Sequence, residues 1–283
     1  MKLRKCSGLA LLFGLLLACA APGRFTIAIA TTTSVQNSGL LDALLPALER
    51  ETGLSPQLHA AGSGRSLQML ADGIVDAVIS HAPEMEQRML AKHPEWAYRK
   101  WAFNQFVVVG PAEDPARVRH ASNVVDAFRR IADSGSRFVS RGDESGTHER
   151  ERALWEAAGQ QPDDRRLLVS GRGMAQALRH AGEAQAYTLT DAPTFWQLRR
   201  SLDLQVLFEG DQRLLNTYAV IHRRGITAAA TFSEWWVQDS TRKRLTAFLI
   251  EGTRAYQPWP PGCPGTAPGD RPCVAVPSRS EPQ

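Results

Sequence analysis

Phe25-Thr26-Ile27-Ala28-Ile29-Ala30-Thr31-Thr32-Thr33-Ser34 opens the folded part of this chain and carries its most telling pattern. Six strand-forming residues run into four consecutive hydroxyls, and Gln36, Asn37, Ser38 and Gly39 follow before a helical repeat begins. In that repeat Leu40, Leu41, Leu44, Leu45 and Leu48 recur at three- and four-residue steps, the spacing of one buried helix face. Gly53 supplies a left-handed stop, and Pro46 is expected to kink the helix. A strand that turns directly into an amphipathic helix is the opening of an α/β unit. Outward from it the alternation continues, with β-type runs at 77–80, 106–110, 138–140, 187–189, 206–208 and 218–221. Helical patterns fall at 66–72, 124–132, 148–158, 174–180, 193–202 and 232–248. The expectation is an α/β fold with largely parallel sheets.

The length of 283 residues exceeds the ~100–200 of a typical domain, so one large domain or two lobes is expected. With 43% hydrophobic, 22% charged and 7% aromatic residues, collagen-like, coiled-coil, polytopic membrane and mostly disordered classes are excluded. The formal charge of +4 does not indicate a nucleic-acid partner. Lys2, Arg4 and Lys5 supply three of the excess positives, and the remainder holds 30 basic against 29 acidic side chains.

Those lysines and arginine precede a short apolar run from Leu9 to Ala21, too short to span a bilayer at ~20 residues, so residues 1–23 read as a secretory signal peptide. Its end, Leu16-Leu17-Ala18-Cys19, resembles the bacterial lipobox, in which the cysteine is lipidated; ordinary cleavage after Ala20 or Ala21 fits the A-x-A pattern as an alternative. Either route predicts a protein of the periplasm or cell surface, touching the membrane only through a lipid anchor. Cys6 is then discarded and Cys19 lies at or before the cut, so a disulfide between Cys263 and Cys273 is the simplest expectation in an oxidising compartment. The tail 257–283, rich in Pro and Gly, is expected to wrap irregularly or to be partly disordered.

Three strand-to-helix turns hold the chemistry. Thr31 to Ser34 place four hydroxyls beside unpaired backbone N–H groups, a setting suited to an oxyanion, although one hydroxyl there would merely cap a helix. Gly62-Ser63-Gly64 lets the backbone approach a ligand, with Ser63 as donor. The third turn, Ser140-Arg141-Gly142-Asp143-Glu144-Ser145-Gly146-Thr147-His148, offers a planar fork of donors at Arg141, hydroxyls at Ser145 and Thr147, and a helix N-terminus. Asp143 is placed to hold the guanidinium; the competing reading is an exposed Arg–Asp pair, which is weak and common. Three such turns in one chain point to a ligand at the carboxyl ends of the strands.

From about residue 25 to 248 the sequence resembles the periplasmic tungstate-binding proteins of ABC importers, relatives of the molybdate- and phosphate-binding proteins. The resemblance rests on Thr31 to Ser34 with Gly39-Leu40-Leu41, Gly62-Ser63-Gly64, and Asp76 with Ser80-His81-Ala82-Pro83-Glu84. It continues through Asn104 with 106–111, the turn from Ser140 to His148, 171–174, 186–191, and Glu209-Gly210 with Leu214-Leu215-Asn216. It implies a two-lobed type II periplasmic binding protein fold with two crossover strands, near 106–110 and 216–221. The lobes would comprise 24–107 and 217–256 for the first and 108–216 for the second. It implies that Thr32, Thr33, Ser34 and Ser63 bind tungstate or molybdate from the first lobe, and Arg141, Ser145, Gly146 and Thr147 from the second. Permease and ATPase subunits are the implied partners, and no cofactor is expected. Arg65 stands where relatives commonly have Gln, and Gln105 where they have Asp; Arg65 reads as a solvated rim charge.

Phosphate and sulfate are the nearest alternative ligands, because the turn around Arg141 is shared with the phosphate-binding relatives. Hydrogen phosphate needs a buried acceptor for its proton, and where those relatives place an aspartate this chain has His81, which reads either as a poor substitute or as a hydrogen-bonded structural residue. An enzyme on the same kind of fold is the competing class, with Ser145, His148 and Asp143 as its actors, but no Gly-x-Ser-x-Gly elbow occurs. The seven histidines form no i, i+4 pair and no Cys–His cluster, so no metal-cation site is expected.

Overall fold

The computed structural model describes residues 25–274; the signal segment with Cys19, and residues 275–283 of the tail, lie outside the described residues. The chain begins β1 (Phe25–Thr32), α1 (Thr33–Asn37), α2 (Leu40–Thr52), β2 (Leu54–Ala61), α3 (Ser63–Ala71), β3 (Ala77–Ser80) and α4 (Pro83–Lys92). A 15-residue strand, β4 (Trp96–Gly110), leads to α5 (Val124–Asp133), β5 (Phe138–Ser140), α6 (Gly146–Ala158), β6 (Leu167–Val169), α7 (Met174–Ala184), β7 (Thr188–Asp191), α8 (Ala192–Leu198) and β8 (Gln205–Phe208). The chain returns through β9 (Leu215–Arg223), α9 (Thr227–Trp235) and α10 (Asp239–Ala247), then β10 (Leu249–Ile250), β11 (Thr253–Arg254) and β12 (Gln257–Pro258).

β4 and β9 join the two lobes. From Trp96 to Gln105, β4 pairs antiparallel with β9, in a sheet ordered β12-β4-β9-β3-β1-β2. From Phe106 onward the same strand changes neighbours and pairs with β7 and β8. The sheets are therefore mixed, not largely parallel. β1 with β2, β1 with β3, and β5 with β6 are parallel, but two crossovers running in opposite directions must pair antiparallel. Burial explains why each lobe holds together. Ile27, Ile29, Leu41, Leu44 and Leu48 pack under the first sheet, while Phe128, Phe138 and Trp155 form an aromatic triangle in the second lobe, with centroids 4.4–5.6 Å apart.

α2 runs from Leu40 to Thr52 with Pro46 inside it. Several local expectations change. The single helix expected at 232–248 is two, α9 and α10, separated at 236–238. Trp235 and Trp236, at the break, are both fully buried. β4 begins ten residues before the expected run because Arg99 and Lys100 disguise it. Lys100 is buried, and its Nζ donates to the carbonyls of Pro268 (2.7 Å) and Asp270 (2.5 Å).

Those carbonyls belong to the tail, which wraps irregularly through residue 274, as expected, and forms a belt across β4. β12 pairs with Ala102 and Phe103, Lys100 N donates to Gly265 O at 2.8 Å, and Trp259 packs on Phe103 and Leu215. A disulfide joins Cys263 to Cys273 and closes the loop over Lys100. No helix among the described residues is long and apolar enough to cross a membrane.

Candidate functional site

The carboxyl ends of β1, β2, β3, β5 and β6 meet at a cavity of about 430 Å³ between the lobes. Thr32, Thr33, Ser34, Asn37, Gly62, Ser63 and His81 line it from one side, and Arg141, Asp143, Ser145, Thr147 and the turn 171–173 from the other. Of the residues singled out in the sequence, Thr32, Thr33, Ser34, Ser63, Arg141, Asp143, Ser145 and Thr147 thus line one space. Gly146 sits at its edge as the first residue of α6. A side chain there has no room: a Cβ on Gly146 would fall 2.7 Å from the His81 carbonyl oxygen, so the lobes meet backbone to backbone at this point.

Arg141 is the charged centre. It is 5% exposed, its Nη2 donates to Asp143 Oδ2 at 2.5 Å, and its Nη1 lies 3.3 Å from Met174 Sδ. Asp143 Oδ1 also accepts from Ser145 N at 3.2 Å, so one carboxylate ties the guanidinium to the start of α6. The tight turn uses left-handed backbone at Gly142 and Glu144. Behind it the Glu151 carboxylate accepts from Arg141 N at 3.1 Å, and burial pushes its pKa up to about 7. The Arg141 Nε and the Ser63 hydroxyl are buried with no protein hydrogen-bond partner among the described residues. Both residues line the cavity, so each has a hydrogen-bond donor not committed to another protein group.

The first lobe contributes a chain of hydroxyls. Thr32 Oγ1 caps α1 by accepting from Val35 N at 3.4 Å and lies 3.2 Å from Ser34 Oγ. Ser34 Oγ in turn lies 3.4 Å from His81 Nε2, and His81 Nδ1 lies 3.2 Å from Asn216 Oδ1. Burial holds the His81 imidazole below its ordinary pKa, against the opposing charge of Asp191. On the other lobe Ser145 Oγ caps α6 by accepting from His148 N at 3.3 Å, while the His148 ring accepts from Glu144 N at 3.1 Å. Ser145 and His148 are therefore not joined as nucleophile and base.

Some lining residues were not assigned to the site from the sequence, although 171–174 is among the motifs of the resemblance. Gly171, Arg172 and Gly173 form a fourth strand-to-helix turn, between β6 and α7, and Gln176 and Arg179 extend it along α7. The Gly-x-Gly pattern before a helix was the available signal, but the three-residue β6 ahead of it carries too little periodicity to be read as a strand. Arg65, by contrast, is exposed and does not line the cavity.

Two lobes joined by paired crossover strands, with donor-rich turns facing each other across the cleft, define a two-lobed type II periplasmic binding protein. The family model described as the PBP superfamily domain matches residues 19–240. The chain is 36% identical over 229 residues to the tungstate-binding protein TupA of Peptoclostridium acidaminophilum, covering 78% of this chain and 80% of that protein. Among solved structures, the tungstate-binding protein TupA from Desulfovibrio alaskensis G20 superposes with a TM-score of 0.73 at 33% identity, over 83% of this chain and 98% of that one. The tungstate ABC transporter structure from Geobacter sulfurreducens gives 0.72 at 32% identity, over 80% of this chain and 100% of that one. The chain belongs to the PBP superfamily, in the family of the tungstate-binding proteins TupA.

Proposed function

We propose that this protein captures tungstate or molybdate outside the cytoplasm and delivers it to the permease and ATPase of an ABC importer, with no catalytic step. The observation that carries the reading is the cavity in which Arg141, clamped by Asp143, faces the hydroxyls of Thr32, Thr33, Ser34 and Ser63 from the opposite lobe. Thr147 and Ser145 complete the donor set, and Gly146 lets α6 approach. Lobe one is assigned to 24–107 and 217–256 and lobe two to 108–216; the change of strand partners between Gln105 and Phe106 supports that division. Residues 1–23 are assigned as signal peptide, with lipidation at Cys19 as the anchor.

Donors in excess suit an ion with four acceptor oxygens and no proton. Hydrogen phosphate would find no free carboxylate for its proton, since Asp143 already pairs with Arg141 and accepts from Ser145 N, and the Ser34 lone pair beside His81 Nε2 is a weaker acceptor. An unpaired buried polar group costs ~1–3 kcal/mol, which is roughly 5- to 150-fold in affinity. Sulfate carries no proton at neutral pH, but its shorter bonds prevent donors held on two closed lobes from all reaching it. Competition calorimetry with the four anions should place tungstate and molybdate tightest, sulfate much weaker and phosphate weakest. Phosphate binding tighter than tungstate would overturn the assignment.

A further inference from the structure

His81 does not belong to the donor set, yet it is 4% exposed and stands in the wall of the cavity. Its protonation pattern follows from a relay that starts at a backbone carbonyl. Ala255 O accepts only, so the Asn104 Nδ2 that lies 3.4 Å away is the donor, and Asn104 Oδ1 faces the other way. That oxygen accepts from Asn216 Nδ2 at 2.9 Å, while both amide nitrogens also donate to the Tyr218 hydroxyl, at 3.0 and 2.9 Å. Asn216 therefore presents Oδ1 to His81, and His81 must carry a proton on Nδ1 to meet it. The neutral ring is then left with Nε2 as a bare acceptor against Ser34 Oγ.

The consequence falls on Ser34. While Nε2 is bare, the Ser34 proton is drawn to it, and the cavity meets a serine lone pair at the place where an ionised oxyanion needs a donor. A proton on Nε2 reverses this: the ring donates to Ser34 Oγ, and the serine hydrogen turns to the anion. We propose that His81 takes up one proton on Nε2 when the oxyanion binds, making it the residue that couples capture to proton uptake. This rests on the oxyanion reading of the cavity. The proton comes from solvent, forms the Nε2–H bond, and leaves with the anion on release.

Burial disfavours the imidazolium, so the charges around the ring decide whether the exchange occurs. Asp191, 2% exposed at the end of β7, attracts the imidazolium, and Arg141 from the turn before α6 opposes it. Tyr218 on β9 lies 5.2 Å from the ring, and Glu86 on α4 is directed instead to Tyr98 and Ala82 N. A bound dianion beside the ring adds negative charge that favours the imidazolium, while Arg141, itself paired with Asp143, and Arg172 and Arg179 in the same cavity oppose it.

Titration calorimetry of the mature protein with sodium tungstate, in several buffers of different ionisation enthalpy near pH 7.5, reads the protons directly. The expected slope of apparent enthalpy against buffer enthalpy corresponds to an uptake of ~0.5–1 proton, with affinity falling by up to about tenfold per pH unit above the free ring's pKa. His81→Gln should bring that slope close to zero and make the affinity independent of pH. Tight binding by the wild type with zero slope would overturn the proposal while leaving the oxyanion reading intact, and an unchanged slope in His81→Gln would assign the proton elsewhere and overturn it equally. Absence of tungstate binding would instead remove the reading on which it stands.

Discussion

Arg141 supplies the one guanidinium that the cavity buries, and its value depends on what surrounds it. Its partner Asp143 is fixed, and Glu151 sits behind it with a pKa near 7, so the fork is aimed before any ligand arrives. Arg141→Gln should weaken tungstate binding by ~2–5 kcal/mol, or about 30-fold and more, because charge-assisted hydrogen bonds are lost in a water-excluded cleft. Arg65→Gln, at an exposed position outside the cavity, should cost less than ~1 kcal/mol. Calorimetry returning the reverse ranking would move the site away from the α6 turn. At this scale the sequence was highly legible, since Arg141, Asp143, Ser145 and Thr147 lie within seven residues, stand out by type and spacing, and all line the cavity. His81 was not, because its role depends on Asn104, Asn216 and a carbonyl at residue 255.

Between elements, the decisive contact is α6 against the end of β3. Gly146 opens α6 with its Cα against the His81 carbonyl, and the side chains around it follow the same approach: Arg88 on α4 meets Glu149 on α6 at 2.8 Å. In that ion pair Arg88 is largely exposed while Glu149 is mostly buried, with its pKa raised by burial. Gly146→Ala places a methyl 2.7 Å from a backbone atom that cannot rotate away. Overpacking of this kind costs ~1–3 kcal/mol, and here the cost falls on closure rather than on folding, because alanine suits a helix start. The expected result is a 5- to 150-fold loss of tungstate affinity with the thermal midpoint of the ligand-free protein nearly unchanged. Equal affinity for both proteins would show that α6 can retreat without loss.

Across the whole molecule, the tail is tied to the crossovers. Lys100, Phe103 and Leu215 hold it through carbonyl acceptors and the Trp259 ring, and the Cys263–Cys273 bond closes the loop. A disulfide across so short a loop stabilises by at most ~2–3 kcal/mol on the chain-entropy model. The paired substitutions Cys263→Ser and Cys273→Ser should lower unfolding free energy by no more than that in a denaturant titration. A larger loss would mean that the loop holds the crossover strands as well as itself.

Local pattern alone was enough for the α/β class, the long leucine helix and three of the four turns that line the cavity, because periodicity and turn chemistry are written within ten or so consecutive residues. It was enough for the end of β4 at 106–110 but not for its first ten residues, which carry Arg99 and the buried Lys100 and so hide the strand from a hydrophobicity reading. Nor could it show that the sheets are mixed, that Trp235 and Trp236 end one helix before another, or that the tail adds a strand. Those features arise from partners more than a hundred residues away, as Lys100 and Pro268 or His81 and Asn216 illustrate, and such pairings are set by packing in three dimensions rather than by neighbours along the chain.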